Sequence, residues 1–324
     1  MALGRWHCTQ PHNSSPAKSE SKSKLMSVFP TRLTVRQAGY GSLRDVESGG
    51  CWGRFMSATQ SVVSLRDKPP LVVSQTPPPA LRLAAVRKTF GGAIAVERMD
   101  LNVQPGEFYA LLGPNGAGKT TTLRMIAGLL KPDAGEISIF GVDALKDPIA
   151  TKRITAWLPD EPMLYDKLTP LEYLEFVAGL WGVAPTLAEP RAAELIEVLE
   201  LGPHRHTRCE GFSRGMKQKV ALAGALIHEP KLIMLDEPLT GIDAGVARQV
   251  KDLLTARVRA GATIILTTHI LEVAERLADR IGIVDRGRLA AEGTLNELRE
   301  LAGRGSSSLE DVFLSLTRRE PLAS

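Results

Sequence analysis

The sequence predicts an α/β fold in which a parallel sheet is flanked by helices, and three observations carry that prediction. Short apolar runs alternate with helix-like stretches along residues 81–300, the pattern of repeated β-α units. A glycine-rich turn, "GPNGAGKTT" from Gly113 to Thr121, joins one such run to an amphipathic stretch. A second run, "LIML" from Leu232 to Leu235, ends in two adjacent acids, Asp236 and Glu237.

Taken in order, residues 1–80 are rich in Ser, Pro, Gly and Lys/Arg and close on "QTPPPA". They show no sustained period of two or 3.6, so a disordered extension is expected. Two origins stay open for it, an over-extended reading frame with Met56 as the start or a targeting segment; the apolar core of a secretory signal is absent from it. From Ala80 onward "ALRLAAV" and "MDLNVQPGEFYALLG" read as strands around a Pro-Gly turn. "GKTTTLRMIAGLL" reads as a helix with Leu123, Ile126 and Leu130 on one face. Residues 168–227 read as mostly helical, through "LTPLEYLEFVAGLWG", "AAELIEVLELG" and "MKQKVALAGALI". Alternation then resumes with "KLIMLDE", a helix near Ala247 to Arg259, "ATIILTTH", a helix from Leu271 to Ala278, and "RIGIVDRGRL". The carboxy end, "SSSLEDVFLSLTRRE", reads as a helix that places Leu309, Val312, Phe313 and Leu316 on one side and packs on its own domain.

Composition narrows the function classes. A chain that is 44% hydrophobic and 23% charged is ordinary for a globular protein. No apolar run approaches the roughly 20 residues that cross a bilayer, so membrane contact is expected only through a partner. The net charge of +4 is unevenly spread. Residues 1–80 hold ten Lys/Arg against four Asp/Glu, and the remainder holds 30 against 32. The body has no basic surplus, and no nucleic-acid partner is expected. Three scattered cysteines, Cys8, Cys51 and Cys209, argue against a disulfide framework. The cluster "HRHTRC" offers His204, His206 and Cys209, but structural zinc wants four ligands in regular spacing, so a solvated loop is the reading preferred.

"GPNGAGKTT" fits G-x-x-x-x-G-K-[ST] without a departure and stands between a strand and a helix, the context that confirms a phosphate-binding loop. Gly113, Pro114, Asn115, Gly116, Ala117 and Gly118 would bring backbone N–H groups around phosphate oxygens. Lys119 would supply a cation to the terminal phosphates; Thr120 would ligate Mg²⁺, with Thr121 beside it. The paired acids then have a reason. Asp236, at the end of a buried strand, would be the second protein anchor of that Mg²⁺, and Glu237, facing another way, would address the attacking water. Acids are rarely buried without a partner, so a purely structural pair is disfavoured.

Lys119 and Asp236 lie 117 positions apart, and the helical block fills the gap. Here the chain resembles the ATPase subunit of an ATP-binding cassette (ABC) transporter, over about Leu81 to Gly293. The resemblance implies a P-loop NTPase core, a small antiparallel β subdomain and an inserted helical signature subdomain at about residues 160–230. The ATPase domain would cover 81–300, with 301–324 as an extension carrying a short helix. "FSRGM", Phe212 to Met216, stands where the family carries LSGGQ. Ser213 and Gly215 match, Arg214 and Met216 depart, and Ser213 would cap the helix that follows. In the family this loop serves ATP held by the opposite subunit, so a dimer, homomeric or heteromeric, is implied. Asp160 in "WLPDEP" replaces the family's glutamine; it would ligate Mg²⁺ or face a partner or solvent. Phe90 matches the aromatic residue stacked on adenine, against a core phenylalanine as the plain reading. His269 matches the histidine that contacts the γ-phosphate and orients the catalytic Glu, making His269, Glu237 and Lys119 the expected catalytic set. Asp243 matches the acid of the loop crossing the dimer interface, against a turn-forming aspartate.

The implied function is an ATP-binding, ATP-hydrolysing subunit that uses ATP and Mg²⁺ and works beneath separate transmembrane permease subunits. It would be cytoplasmic and peripheral on the inner face of the cell membrane. The "LPDEP" and "FSRGM" variants and the carboxy ending look most like the drug- and antibiotic-export branch. The rival reading is a soluble ABC-type ATPase acting on nucleic acid or ribosomes. Those usually carry two cassettes or a long coiled-coil insert, and neither is present in this sequence. A P-loop kinase or GTPase would leave "FSRGM", Glu237 and His269 unexplained.

Overall fold

The computed structural model describes residues 77–161, 163–302 and 308–317. The extension expected over residues 1–80 therefore lies, apart from 77–80, outside the described residues. Among those described, ten strands form one sheet in the order β5-β4-β1-β2-β10-β9-β3-β8-β7-β6. The parallel part contains β9 (Arg280–Asp285), β3 (Phe108–Leu112), β8 (Thr263–Thr268), β7 (Leu232–Asp236) and β6 (Thr155–Leu158). Every residue of β3, β7 and β8 is buried, which is why these strands read as unbroken apolar runs and not as alternation.

The antiparallel part contains β1 (Leu81–Phe90), β2 (Ala93–Val103), β4 (Ala134–Ile139) and the two-residue β5 (Val142–Asp143). β1 and β2 alternate in burial, with Leu81, Leu83, Val86, Val96, Met99, Leu101 and Val103 inward. The mixed sheet and its antiparallel part match the fold the sequence predicts. The stretch "RIGIVDRGRL" is not one strand. It is a hairpin in which β10 (Arg288–Gly293) turns back on β9 through Arg286 and Gly287. Both turn residues have positive φ, 47° and 77°, the geometry that matches the twist of the flanking strands. The turn signal "DRGR" was present in the sequence.

The helical block is α3 (Pro170–Trp181), α4 (Pro185–Val198) and α5 (Arg214–Leu226). α3 opens on a reciprocal cap: Thr169 Oγ1 accepts from Glu172 N at 3.3 Å and Glu172 Oε2 from Thr169 N at 2.9 Å. α4 begins seven residues before the "AAELIEVLELG" reading, at Pro185, and tolerates Pro190 inside it. One intrahelical hydrogen bond is lost there. Burial of Ala188, Ala192, Leu195 and Ile196 offsets it. Tyr173, Leu174 and Ala178 of α3 meet the α5 face through Val220, Ala223 and Gly224, and this cluster continues under β6, β7 and β8.

The remaining helices frame the sheet: α1 (Lys119–Ile126), α2 (Pro148–Arg153), α6 (Ala244–Arg259), α7 (Leu271–Leu277), α8 (Leu295–Leu301) and α9 (Leu309–Thr317). α9 packs on α7, α8 and β10, with Leu309 and Val312 fully buried beside Ala110, Leu112 and Ile283. Phe313 joins the cluster from its edge; the Leu316 side chain lies outside the described residues. Leu309→Ala should therefore cost about 2–4 kcal/mol of stability, the range of a buried leucine truncated in a packed core. Urea unfolding of the full chain measures it, and a change under about 0.5 kcal/mol, the surface value, would show that α9 does not belong to this core.

Candidate functional site

The site forms where the carboxyl ends of β3, β8 and β7 lie abreast. Register sets Leu112 beside Thr268 and Thr267 beside Asp236, so β8 separates the glycine-rich loop from the acidic strand. The loop after β3 and the first turn of α1 then face Asp236 and Glu237 across a cleft of about 390 Å³. Phe90, Ala95, Asn115, Gly116, Ala117, Gly118, Lys119, Thr120, Thr121, Asp160, Asp236 and Glu237 line it.

The loop geometry follows from its glycines. Gly118 has φ 104°, and a Cβ there would sit 2.5 Å from the Ala95 carbonyl oxygen, so this position admits glycine alone. The β9–β10 turn buttresses the loop from behind: Gly287 N donates to Ala117 O at 2.9 Å, and Gly287 O accepts from Glu97 N at 2.9 Å. α1 starts without a side-chain cap, which leaves its first N–H groups for an anion. Lys119 is 7% exposed, and its Nζ donates to Gly113 O at 2.7 Å and Pro114 O at 3.2 Å. Burial holds its ammonium below the ordinary lysine range, while the carboxylates of Glu237 and Asp236 pull the other way.

Asp236 is 2% exposed and accepts a 2.5 Å hydrogen bond from Thr267 Oγ1. The same hydroxyl accepts from Glu237 N at 3.3 Å, so one threonine side chain orients both acids. Glu237 sits just beyond β7 in the left-handed region, φ 50°, a conformation that costs an L-residue about 1–2 kcal/mol. Its carboxylate has a set of partners separate from that of Asp236. Glu237 Oε2 accepts from Thr240 Oγ1 at 3.2 Å and from His269 N at 3.3 Å, and pairs with His269 Nδ1 at 2.9 Å. Thr267 and Thr240 were not singled out from sequence. The signal available was thin: Thr267 stands two before His269 on an apolar strand, and Thr240 lies in the turn after the acids.

Ser213, Gly215 and Asp243 do not line this cleft; they form a second group. Ser213 caps α5, accepting from Met216 N at 3.3 Å, and Asp243 caps α6, accepting from Val246 N at 2.9 Å. A Cβ on Gly215 would lie 3.7 Å from Asp243 Oδ2, so the two helix starts adjoin. Phe90 is half exposed at the rim, which removes the core-phenylalanine reading. Asp160 is engaged by Arg214, whose Nη2 donates to its Oδ1 at 2.8 Å. The solvated-loop reading of "HRHTRC" holds for His204 and His206 and fails for Cys209, which is 1% exposed and packs in the helical core.

This arrangement fits Mg²⁺ and a triphosphate. It offers a buried ammonium, uncapped helix N–H groups, a hydroxyl at Thr120, and a buried carboxylate at Asp236, all facing one cleft. A divalent ion bridged to phosphate oxygens needs only one or two protein ligands.

The comparisons agree. A family profile described as "ABC transporter" matches residues 96–240. The daunorubicin/doxorubicin resistance ATP-binding protein DrrA of Streptomyces peucetius is 40% identical over 227 residues, 70% of this chain and 69% of that one. A solved structure of the ATP-binding subunit of an ABC transporter aligns with TM-score 0.70 and 34% identity, covering 73% of this chain and 99% of that one. The ATP-binding cassette MJ0796, as a dimer in a post-hydrolysis state with ADP and Pi, aligns with TM-score 0.61 and 27% identity, covering 66% and 98%. The chain belongs to the ABC transporter family, as an ATP-binding subunit that hydrolyses ATP with Mg²⁺.

Proposed function

We propose that this subunit powers export of a small molecule, pairing with a second ATPase subunit beneath separate membrane subunits at the inner face of the cell membrane. The observation that carries the reading is the cleft itself, in which Lys119, beyond the end of β3, faces Asp236 and Glu237 at the end of β7. In this reading Thr120 and Asp236 hold the magnesium ion, with Asp160 at the rim. The ion, when bound, neutralises charge on the terminal phosphates. Asn115 to Thr121 hold the phosphates through backbone N–H groups, anchored by the turn at Gly113 and Pro114, and Lys119 adds its charge. Phe90 offers a π-face to the base. Glu237 takes the proton of the attacking water, and His269 fixes the orientation of its carboxylate.

The separate grouping of Ser213, Gly215 and Asp243 supports a composite site. These residues do not line their own chain's cleft, and Ser213 and Asp243 are exposed, which supports a role toward nucleotide held by a partner. The related cassette MJ0796, a dimer bound to ADP and Pi, points the same way. Export is favoured because the related Streptomyces protein is named for drug resistance. Among the described residues no helix is long and apolar enough to cross a membrane, so the path for substrate belongs to partner subunits. We divide the chain accordingly into an extension over residues 1–80, the ATPase domain over 81–300 with its helical subdomain at about 160–230, and a closing segment over 301–324.

The test is purification of the full chain from its own membranes under mild detergent, with identification of what accompanies it. A multi-span membrane protein is expected, and inverted vesicles carrying the pair should take up a compound in an ATP-dependent manner. Association with ribosomes or RNA at physiological salt, with no membrane protein, would overturn the export reading and favour the soluble alternative.

A further inference from the structure

Two residues that depart from the family pattern, Asp160 and Arg214, face one another. Asp160 stands on the loop after β6 and lines the nucleotide cleft beside Thr120, Asp236 and Glu237. Arg214 is the first residue of α5, and its Nη2 donates to Asp160 Oδ1 at 2.8 Å, both side chains being about half exposed (47% and 48%). The guanidinium also runs along Gly241, where a Cβ would come within 3.5 Å of Nη1. Gly241 belongs to the turn that starts at Glu237 and ends at Asp243, the α6 cap. One side chain thus touches the loop bearing a cleft carboxylate and the loop bearing the paired acids, and it starts the helix that Ser213 caps.

The charges say what this contact does. Asp160, Asp236 and Glu237 put three carboxylates on one cleft that is to receive a polyphosphate, and Arg214 is the cation set against Asp160. A carboxylate oxygen engaged by a guanidinium is less available to a metal, since the two cations compete for the same lone pairs. We propose that Arg214 is a positioning residue for the ATP reaction: it holds Asp160 away from the metal, and Asp160 exchanges Arg214 for Mg²⁺ when nucleotide enters. The exchange frees Arg214 and with it the start of α5, so the metal requirement of the cleft and the position of the helical block are linked through this ion pair. The proposal rests on the reading of the cleft as the Mg²⁺–ATP site.

The test is binding of a fluorescent ATP analogue to the full chain across a series of Mg²⁺ concentrations, with thermal melting as the check on folding. Arg214→Ala is expected to lower the Mg²⁺ needed for half-maximal binding by about two- to fivefold, the range set by the worth of a half-exposed ion pair. Asp160→Asn is expected to raise it, and adding Arg214→Ala to Asp160→Asn is expected to change nothing further, because the two act through one contact. Arg214→Lys keeps the charge without the planar fork and should fall between wild type and Arg214→Ala. A Mg²⁺ midpoint unmoved by Arg214→Ala, or moved equally with and without Asp160, overturns the proposal while leaving the cleft reading intact. A wild-type chain that binds no nucleotide at any Mg²⁺ concentration overturns the cleft reading and this proposal with it.

Discussion

Lys119→Ala is expected to weaken ATP binding by about ten- to 150-fold, the loss of a charge-assisted hydrogen bond of about 1.5–3 kcal/mol. Lys119 is almost wholly buried, and burial already disfavours its charged form. Its Nζ is held toward the loop by the carbonyls of Gly113 and Pro114, with Asp236 and Glu237 supplying the opposing charge. An ammonium kept at that cost, beside a cleft walled by helix N–H groups, is arranged for a polyanion. Calorimetry of the full-length chain with Mg²⁺–ATP measures the effect, and the melting temperature of the nucleotide-free protein checks that the fold survives. The loop is pinned independently, by Gly287 and by the α1 backbone, so the unliganded fold should hold. An unchanged affinity would remove the cleft from the nucleotide.

Glu237→Gln separates binding from turnover. Hydrolysis should fall by about 10²–10⁴-fold, the contribution of a positioned general base, with ATP affinity nearly unchanged. Glutamine keeps the length of the side chain, and its carbonyl oxygen can still accept from Thr240 and from the His269 backbone, so the left-handed turn at 237 is retained. What is lost is the negative charge and the capacity to take a proton. Nucleotide that is bound and not cleaved should then hold two subunits together, and size-exclusion chromatography with ATP should show the dimer accumulating. Steady-state turnover at the wild-type rate would reassign Glu237 to a structural role.

Much of the site was legible because its chemistry is local. The phosphate loop is a continuous segment whose glycines, lysine and threonine act from adjacent positions, and its strand-to-helix setting is written in the neighbouring residues. The acids of "LIMLDE" stood out because a buried strand seldom ends in two carboxylates without a task. Other features were legible and still misread. "DRGR" carries the signature of a two-residue hairpin, yet the apolar run on one side and the short polar one on the other read as a single strand. The helix read from "AAELIEVLELG" begins at Ala192, although α4 starts at Pro185 and its buried face extends back to Ala188.

What the sequence by itself determined is the list of parts: a glycine-rich loop with its lysine and threonine, a buried strand that ends in two adjacent acids, and the alternation that builds a parallel sheet. Those rest on short-range chemistry and on the period of apolar residues. What only the tertiary structure decided is how the parts face one another. Strand order puts β8 between β3 and β7, which carries Thr267 to Asp236 and His269 to Glu237 over some thirty positions. It also sets Arg214 against Asp160, 54 positions away, turning two separate departures from a pattern into one ion pair. Partners so distant in sequence are chosen by sheet register and helix packing, which sum weak contacts over the whole core, and no stretch of residues read alone contains that sum.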